Sequence, residues 1–385
     1  MPRALNPFTW TDVVQIDNAV PRRAFTEQVA LTLKGGTHVS LFGPRGTGKS
    51  SFLLEEAEEL ARDHGPDAPP WSMIIVDLRT AISIPAFVGV VSAALGAHPD
   101  KRLRRRATNA FRDLEKEIGI NLGVFKAGVK TRGTDLNDEV ILRSQLAALP
   151  KVSEHLVIAF DEFQRLNNCP GEPLSQIRSA LMGPEHAGHV SLLFTGSLRE
   201  RLQLMLKTDT EPIWDQAHDM DLPDLPFDEF VEYIQFRFES GGRPIQDEAA
   251  EHLVRLGSNH PKRTQQLAWN VWEAADDGEE VDVDLVDETY EELVSSEDQV
   301  AQVVDKLLGG DDAEVNEARA LFLIGAGESP GSRKTAKTYG LTDESAATRA
   351  VDRLRSRGLV ARGNGDHKIV DPLLAEWLRR NSPIQ

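Results

Sequence analysis

Cysteine is nearly missing from this 385-residue chain: Cys169 stands alone, so no internal disulfide can form and a reducing, cytoplasmic setting is expected. Long apolar runs are missing as well. The longest, Ala86 to Ala97, has twelve residues and is broken by Gly89 and Ser92, short of the ~18 needed to cross a bilayer, so no membrane span is expected. The stretch Met1-Pro2-Arg3-Ala4-Leu5-Asn6-Pro7 lacks the apolar core of a secretory signal. Positive charge is short of negative, 43 Lys/Arg against 61 Asp/Glu for a net charge of −18, which argues against wrapping nucleic acid with the whole surface but not against a local basic patch. A hydrophobic fraction of 40% is ordinary for a globule, and the length suggests two or three domains.

What is present is organised around Gly43-Pro44-Arg45-Gly46-Thr47-Gly48-Lys49-Ser50, which satisfies the phosphate-binding pattern G-x-x-x-x-G-K-[ST] at every fixed position. Glycines let backbone N–H groups approach a phosphate, Lys49 reaches the β/γ oxygens, and the Ser50 hydroxyl suits Mg²⁺. Chance alone gives such a match in about one chain of this length in a hundred. Context makes the accident less probable still: Val39-Ser40-Leu41-Phe42 leads in as a strand, and Ser51 to Arg62 leaves with helical spacing, so a helix N-terminus points at the anion.

Strands and helices then alternate, which implies a parallel sheet covered on both faces. Before the loop, Phe25, Val29 and Leu33 share one face of a helix ended by Gly35-Gly36; after it come a strand at Met73 to Leu78 and a helix over Pro85 to Leu95. Residues 99–136 read as an insertion. It opens with the densest basic run, Lys101-Arg102-Leu103-Arg104-Arg105-Arg106, and continues with Gly119, Gly123, Gly128 and Gly133 spaced as for a hairpin. The run is either a solvated helix face or partner to the chain's own acidic surface, or else a contact for a phosphate backbone.

The core resumes with a helix at Asn137 to Leu149 and a strand His155 to Phe160 that ends in Asp161-Glu162. One carboxylate there can join the Mg²⁺ shell and the next can orient water toward the γ-phosphate. A further strand, Val190 to Phe194, ends in Thr195-Gly196-Ser197. The ligand side of a parallel sheet is the carboxyl end of its strands, so Thr195 and Ser197 are candidate γ-phosphate sensors; Ser197 alternatively only caps the helix beginning at Leu198.

Helices follow from Pro226 to about Trp272, one of them opened by Asn259-His260-Pro261-Lys262-Arg263. Residues 273–314 carry seventeen Asp/Glu against the single Lys306, yet Val281, Val283, Leu285, Leu293, Val300, Val303 and Leu307 keep a regular spacing, which reads as an acidic helical bridge. From Asn316 onward the balance reverses to twelve Lys/Arg against eight Asp/Glu. There, Ala318 to Ile324, Arg333 to Thr338 and Asp343 to Arg357 read as three helices, the last capped by Thr342. Leu359 to Arg362 and His367 to Val370 flank the turn Gly363-Asn364-Gly365-Asp366, the order of a winged helix-turn-helix, and Asp371-Pro372 starts a closing helix.

This set of motifs resembles the AAA+-related P-loop ATPases of the STAND group, in the prokaryotic branch best represented in archaea, over most of the chain. The family order is the lead-in, the loop at 43–50, Asp161-Glu162-Phe163-Gln164, Phe194-Thr195-Gly196-Ser197, a helical lid and a C-terminal winged helix ending in Asp371-Pro372-Leu373-Leu374. The fold it implies is an α/β P-loop NTPase with a parallel sheet, a helical lid and a winged-helix domain: lead-in 1–36, ATPase core 37–222, lid 223–275, acidic bridge 276–314, winged helix 315–385. It implies ATP and Mg²⁺ as cofactors. Gly43 to Ser51 would cradle the nucleotide, Ser50 and Asp161 would hold the metal, Glu162 would activate water, Thr195 would be the first sensor, Arg263 the lid sensor, and Val20 to Arg23 would lie near the adenine. His260-Pro261-Lys262 departs from the Gly-Asp/Asn that precedes the lid Arg in the related origin-recognition proteins, which leaves Lys262 beside Arg263 as a sensor. Arg199 and Arg201 are candidates for an arginine finger or plain surface charge.

The function expected is an ATP-hydrolysing molecular switch that repositions its winged helix. A DNA-directed ATPase and a nucleotide-binding module without turnover are the alternatives, the intact Asp161-Glu162 pair speaking against the second. The partners expected are ATP, a protein, DNA held weakly through the winged helix, and further copies of the chain. Asp343 and Glu344 on the first turn of the third helix oppose groove reading.

Overall fold

The computed structural model describes residues 5–14, 19–62, 70–118, 138–199, 202, 205, 217–296, 298–362 and 367–382. They form two compact units. One holds residues 23–43 and 49–222, the other residues 1–22, 44–48 and 223–385. The glycine-spaced stretch 119–133, Arg201 and the turn 363–366 lie outside the described residues.

The first unit is built on five parallel strands: β1 (His38–Phe42), β2 (Ser72–Asp77), β3 (Leu156–Asp161), β4 (Val190–Gly196) and β5 (Ala217–Asp221), in the order β2-β3-β4-β1-β5. Alternate residues bury on opposite faces, as the two-residue period of a strand requires. Ile74, Val76, Ile158, Phe160, Leu192 and Phe194 join one apolar layer. Met73, Val157, Ala159, Leu193, Val39 and Leu41 join the other.

The second layer is closed by α1 (Arg23–Lys34), which contributes Val29, Ala30 and Leu33, and by α2 (Lys49–Ala61), which contributes Phe52, Leu53 and Leu60. The first is closed by α3 (Ile84–Ala97), α4 (Lys101–Ile118), α5 (Asp138–Ala148) and α6 (Pro173–Leu181). The basic run is thus helical. Leu103, Ala107 and Phe111 of α4 are buried at helical spacing, while Lys101, Arg102, Arg105, Arg106 and Arg112 are exposed. β5 has no counterpart in the sequence reading: only Met220 of its five residues is buried, and the ladder with β1 identifies it.

The second unit is helical. Helices α7 (Phe227–Ser240), α8 (Asp247–Leu256), α9 (Pro261–Ala274), α10 (Val283–Ser296) and α11 (Asp298–Leu308) share one core with Phe8 and Val20 of the lead-in. The acidic segment takes part in that core, since Val281, Val286, Leu293, Val294, Val300, Val304 and Leu307 are buried while its described carboxylates are exposed or half-buried.

The same core continues through α12 (Asp312–Gly325), α13 (Arg333–Thr338) and α14 (Glu344–Arg357), an antiparallel ribbon of β6 (Val360–Arg362) and β7 (His367–Ile369), and α15 (Pro372–Arg380). This is the element order of a winged helix. One cap differs from expectation: Asp343, not Thr342, caps α14, its carboxylate accepting from the Ala346 N–H at 2.8 Å, because the acid stands at the extended residue before the first turn. Gly358, at φ 75°, ends that helix in the left-handed conformation.

Candidate functional site

Within the first unit, β1, β3 and β4 lie side by side, and their carboxyl ends collect the polar residues that the apolar strands deliver. Asp161, the last residue of β3, is buried and takes three hydrogen bonds. Ser50 Oγ at the start of α2 donates to Oδ2 at 2.7 Å, Thr195 Oγ1 of β4 donates to Oδ1 at 2.5 Å, and the Glu162 N–H donates to Oδ1 at 3.0 Å. Lys49 is buried at the start of α2, and its Nζ donates to the Gly43 carbonyl at 2.7 Å. Ser51, one residue beyond Ser50, is half-buried on the same first turn. Ser50 and Asp161 thus present two hard oxygen donors 2.7 Å apart, a pair that fits Mg²⁺, which characteristically takes one or two protein oxygens and completes its shell with phosphate and water.

Glu162 leaves the strand in the left-handed region, φ 57° and ψ 44°. Consecutive strand residues point to opposite faces, so a regular continuation would send its side chain away from that of Asp161. The left-handed turn sends it toward β4 instead, where Ser197 Oγ donates to Glu162 Oε2 at 3.1 Å and the Gln164 amide donates to the same oxygen. Of the two roles open for Ser197 on sequence grounds, γ-phosphate sensor and helix cap, neither describes this contact. Arg199 is ion-paired with Asp221, its guanidinium 4.6 Å from the centre of the Phe42 ring.

The middle of the phosphate loop, Pro44 to Gly48, belongs with the second unit. Gly46 and Gly48 take φ of 81° and 88°, a conformation that glycine adopts without strain. Arg45 is exposed, and Thr47 Oγ1 closes the turn on the Pro44 carbonyl at 2.8 Å. Residues far away in sequence hold the outer carbonyls. His260 Nε2 meets the Arg45 oxygen at 3.1 Å and the Lys262 N–H donates to the Gly46 oxygen at 3.1 Å. A Cβ added at Gly46 would stand 2.6 Å from His260 Cε1, so close packing as well as φ calls for glycine. His260 also caps α9, its Nδ1 accepting from the Arg263 N–H, which makes Nε2 the protonated nitrogen; burial pushes this imidazole below its ordinary pKa, in keeping with the neutral form.

In the lead-in, Val20 is buried in the helical core, Pro21 is half-buried and Arg22 spans two segments, donating to the Pro223 and Thr47 carbonyls at 2.8 Å each. Arg23 begins α1 in the other unit and is exposed. Arg263 is buried and donates in a forked arrangement to Asp371, with N···O distances of 2.5–3.1 Å, and also to Gln266. Lys262 lies near the Trp10 ring, 5.7 Å from its centre.

Sequence reasoning passed over Gln164, Arg22 and Asp371 as polar partners. A His immediately before a Pro at the first helical position was a readable cap signal; nothing local announces the other three.

No family model matches the chain, and no curated protein matches it. Solved structures do. The Walker-type ATPase PABY2304 of Pyrococcus abyssi superposes with a TM-score of 0.68 at 16% identity, covering 97% of this chain and 99% of that one. The ORC2 protein of Aeropyrum pernix, solved in ADPNP–ADP complexes, superposes with a TM-score of 0.58 at 16% identity over 97% of this chain and 96% of its own. With the parallel sheet, the glycine loop and Lys49 at the head of α2, these likenesses give the chain the P-loop NTPase fold.

Proposed function

We propose that the protein is an ATP-binding and ATP-hydrolysing switch of the STAND type, whose nucleotide state is coupled to its C-terminal helices and ribbon. The observation that carries the reading is the linked set at the strand ends, Ser50 to Asp161 to Thr195 with Glu162 beside it. In this reading the loop N–H groups and Lys49 hold the phosphates, and Glu162 accepts a proton from the attacking water. Ser50 and Asp161 would hold Mg²⁺, which supplies charge neutralisation on the phosphates. Thr195 ties the Asp161 carboxylate to β4, so a change at the phosphates is felt on a second strand.

Coupling to the C-terminal elements is supported by Arg263, the expected lid sensor, which grips Asp371 at the head of α15. A purely structural nucleotide site has no need of a carboxylate in the place of Glu162. Lys49→Ala is expected to abolish ATP·Mg²⁺ binding in calorimetric titration. Glu162→Gln is expected to keep binding and to slow single-turnover hydrolysis by about two orders of magnitude. Undiminished affinity in the first, or an undiminished rate in the second, would remove that residue from the mechanism.

A DNA-directed ATPase is the second reading, and a specific observation favours it: in a chain of net charge −18, α4 presents Lys101, Arg102, Arg105, Arg106 and Arg112 together on its exposed face.

A further inference from the structure

We infer that Gln164, acting with Ser197, is a positioning residue that aims the Glu162 carboxylate; the inference rests on the reading of Glu162 as the group that activates water. Three side chains close a complete hydrogen-bond triangle. The Gln164 amide donates one N–H to Glu162 Oε2 and the other to Ser197 Oγ at 3.1 Å, and the Ser197 hydroxyl, having accepted that bond, donates its own hydrogen to Glu162 Oε2 at 3.1 Å. A carboxylate only accepts, so the amide nitrogen must be the atom that faces it. Both donors converge on Oε2, which fixes the side-chain torsions of Glu162 and leaves Oε1 outside the triangle for another donor.

The triangle is built in. Gln164 is buried, 6% exposed, and its Oε1 has no hydrogen-bond partner among the described residues, so the bonds that hold this amide are those of its nitrogen. Gly196 makes the room. A Cβ at that position would stand 2.7 Å from Gln164 Oε1 and 3.0 Å from Leu202 Cδ2, although the glycine needs no unusual backbone angle. The left-handed backbone of Glu162 completes the design, because it brings two neighbouring carboxylates to two hydroxyls spaced two residues apart: Thr195 takes Asp161 and Ser197 takes Glu162. The hydroxyls at and just past the end of β4 therefore set the two acids at and just past the end of β3.

Single-turnover ATP hydrolysis and calorimetric ATP·Mg²⁺ affinity, measured on the full chain, test this. Gln164→Ala is expected to slow the chemical step tenfold or more and Ser197→Ala severalfold, each with affinity within about twofold of the parent. Gly196→Ala, which keeps all three polar groups but crowds the amide, is expected to slow it as well. The decisive measurement is the cycle with Glu162→Gln: if Gln164 works through Glu162, adding Gln164→Ala to that variant slows it no further. A parental rate in Gln164→Ala, or the same slowing in the presence and absence of Glu162, overturns the inference. If the Gln164→Ala chain does not fold, Ser197→Ala takes its place in the cycle with the same outcomes. A parental rate in Glu162→Gln alone would instead sink the reading of Glu162, and the inference with it.

Discussion

Glu56 lies fully buried on α2, and neither of its carboxylate oxygens has a hydrogen-bond partner among the described residues. Burial pushes its pKa well above the ordinary carboxylate range, and the neighbouring charges of Glu59 and Glu55 push the same way, with Lys34 opposing. A carboxyl whose folded pKa is raised holds its proton longer in the folded chain, so its contribution to stability is full below the unfolded value of 4.5 and is lost as pH rises toward the folded pKa. Glu56→Met, which removes the buried acid at similar volume, should therefore stabilise the fold at pH 8 by about 1–2 kcal/mol and by much less at pH 4. Urea denaturation at the two pH values checks both the sign and the difference. In sequence Glu56 is one acid in an acid-rich helix, and only its burial in the folded chain distinguishes it from the exposed Glu58.

Among the elements, α15 has two claims on one residue. Asp371 caps it, Oδ1 accepting from the Leu373 N–H at 3.1 Å, and the same carboxylate receives the fork of Arg263 from the first turn of α9. Arg263 is 8% exposed at its side chain and Asp371 33%, so the pair is partly shielded from solvent. Asp371→Ala is expected to cost about 3 kcal/mol, roughly 1 from the lost cap and the rest from a buried guanidinium left short of an acceptor. Asp371→Asn, which keeps the capping oxygen, should cost less, and chemical denaturation of both variants ranks them. Some helix boundaries were readable because caps and periodicity are local: α13 spans Arg333–Thr338 as the spacing predicts, and α5 agrees with expectation to within a residue at each end, whereas the helix expected over Ala318 to Ile324 starts six residues earlier, at Asp312 behind the Asp311 cap. The Thr342 cap failed by one position because Thr and Asp are both good caps and only the backbone angles choose between them.

At the scale of the whole molecule the charge is unevenly spread, and that bears on the second reading. The C-terminal helices carry a positive balance, yet Arg357 is committed to Glu314 and Glu317, Arg355 pairs with Asp352, and Asp343 and Glu344 occupy the head of α14. In the second reading, nucleic-acid contact should then depend on α4. The full chain with ATP is expected to bind random-sequence duplex no more tightly than about micromolar near physiological salt, the range of non-specific contact. Neutralising Arg102, Arg105 and Arg106 together with Gln should lower the slope of log affinity against log salt by roughly 2–3, since each phosphate contact contributes close to one. Fluorescence anisotropy over a salt series checks it, and an unchanged slope would set the DNA-directed reading aside.

By itself the sequence determined what depends on neighbours a few residues apart: the glycine loop with Lys49 and Ser50, the apolar strands ending in Asp161-Glu162 and Thr195-Gly196-Ser197, and the amphipathic helices. These are legible because strand and helix periods and the φ freedom of glycine act within a single turn or extended run. The tertiary structure alone decided which distant polar groups meet: Gln164 and Ser197 on Glu162, Arg22 on the Thr47 carbonyl, His260 on the Arg45 carbonyl, Arg263 on Asp371, and the strand β5, with one buried residue, against β1. The reason is physical. A buried donor must find an acceptor somewhere, and which acceptor it finds is set by the packing of elements far apart in the chain, a choice that leaves no trace in local spacing.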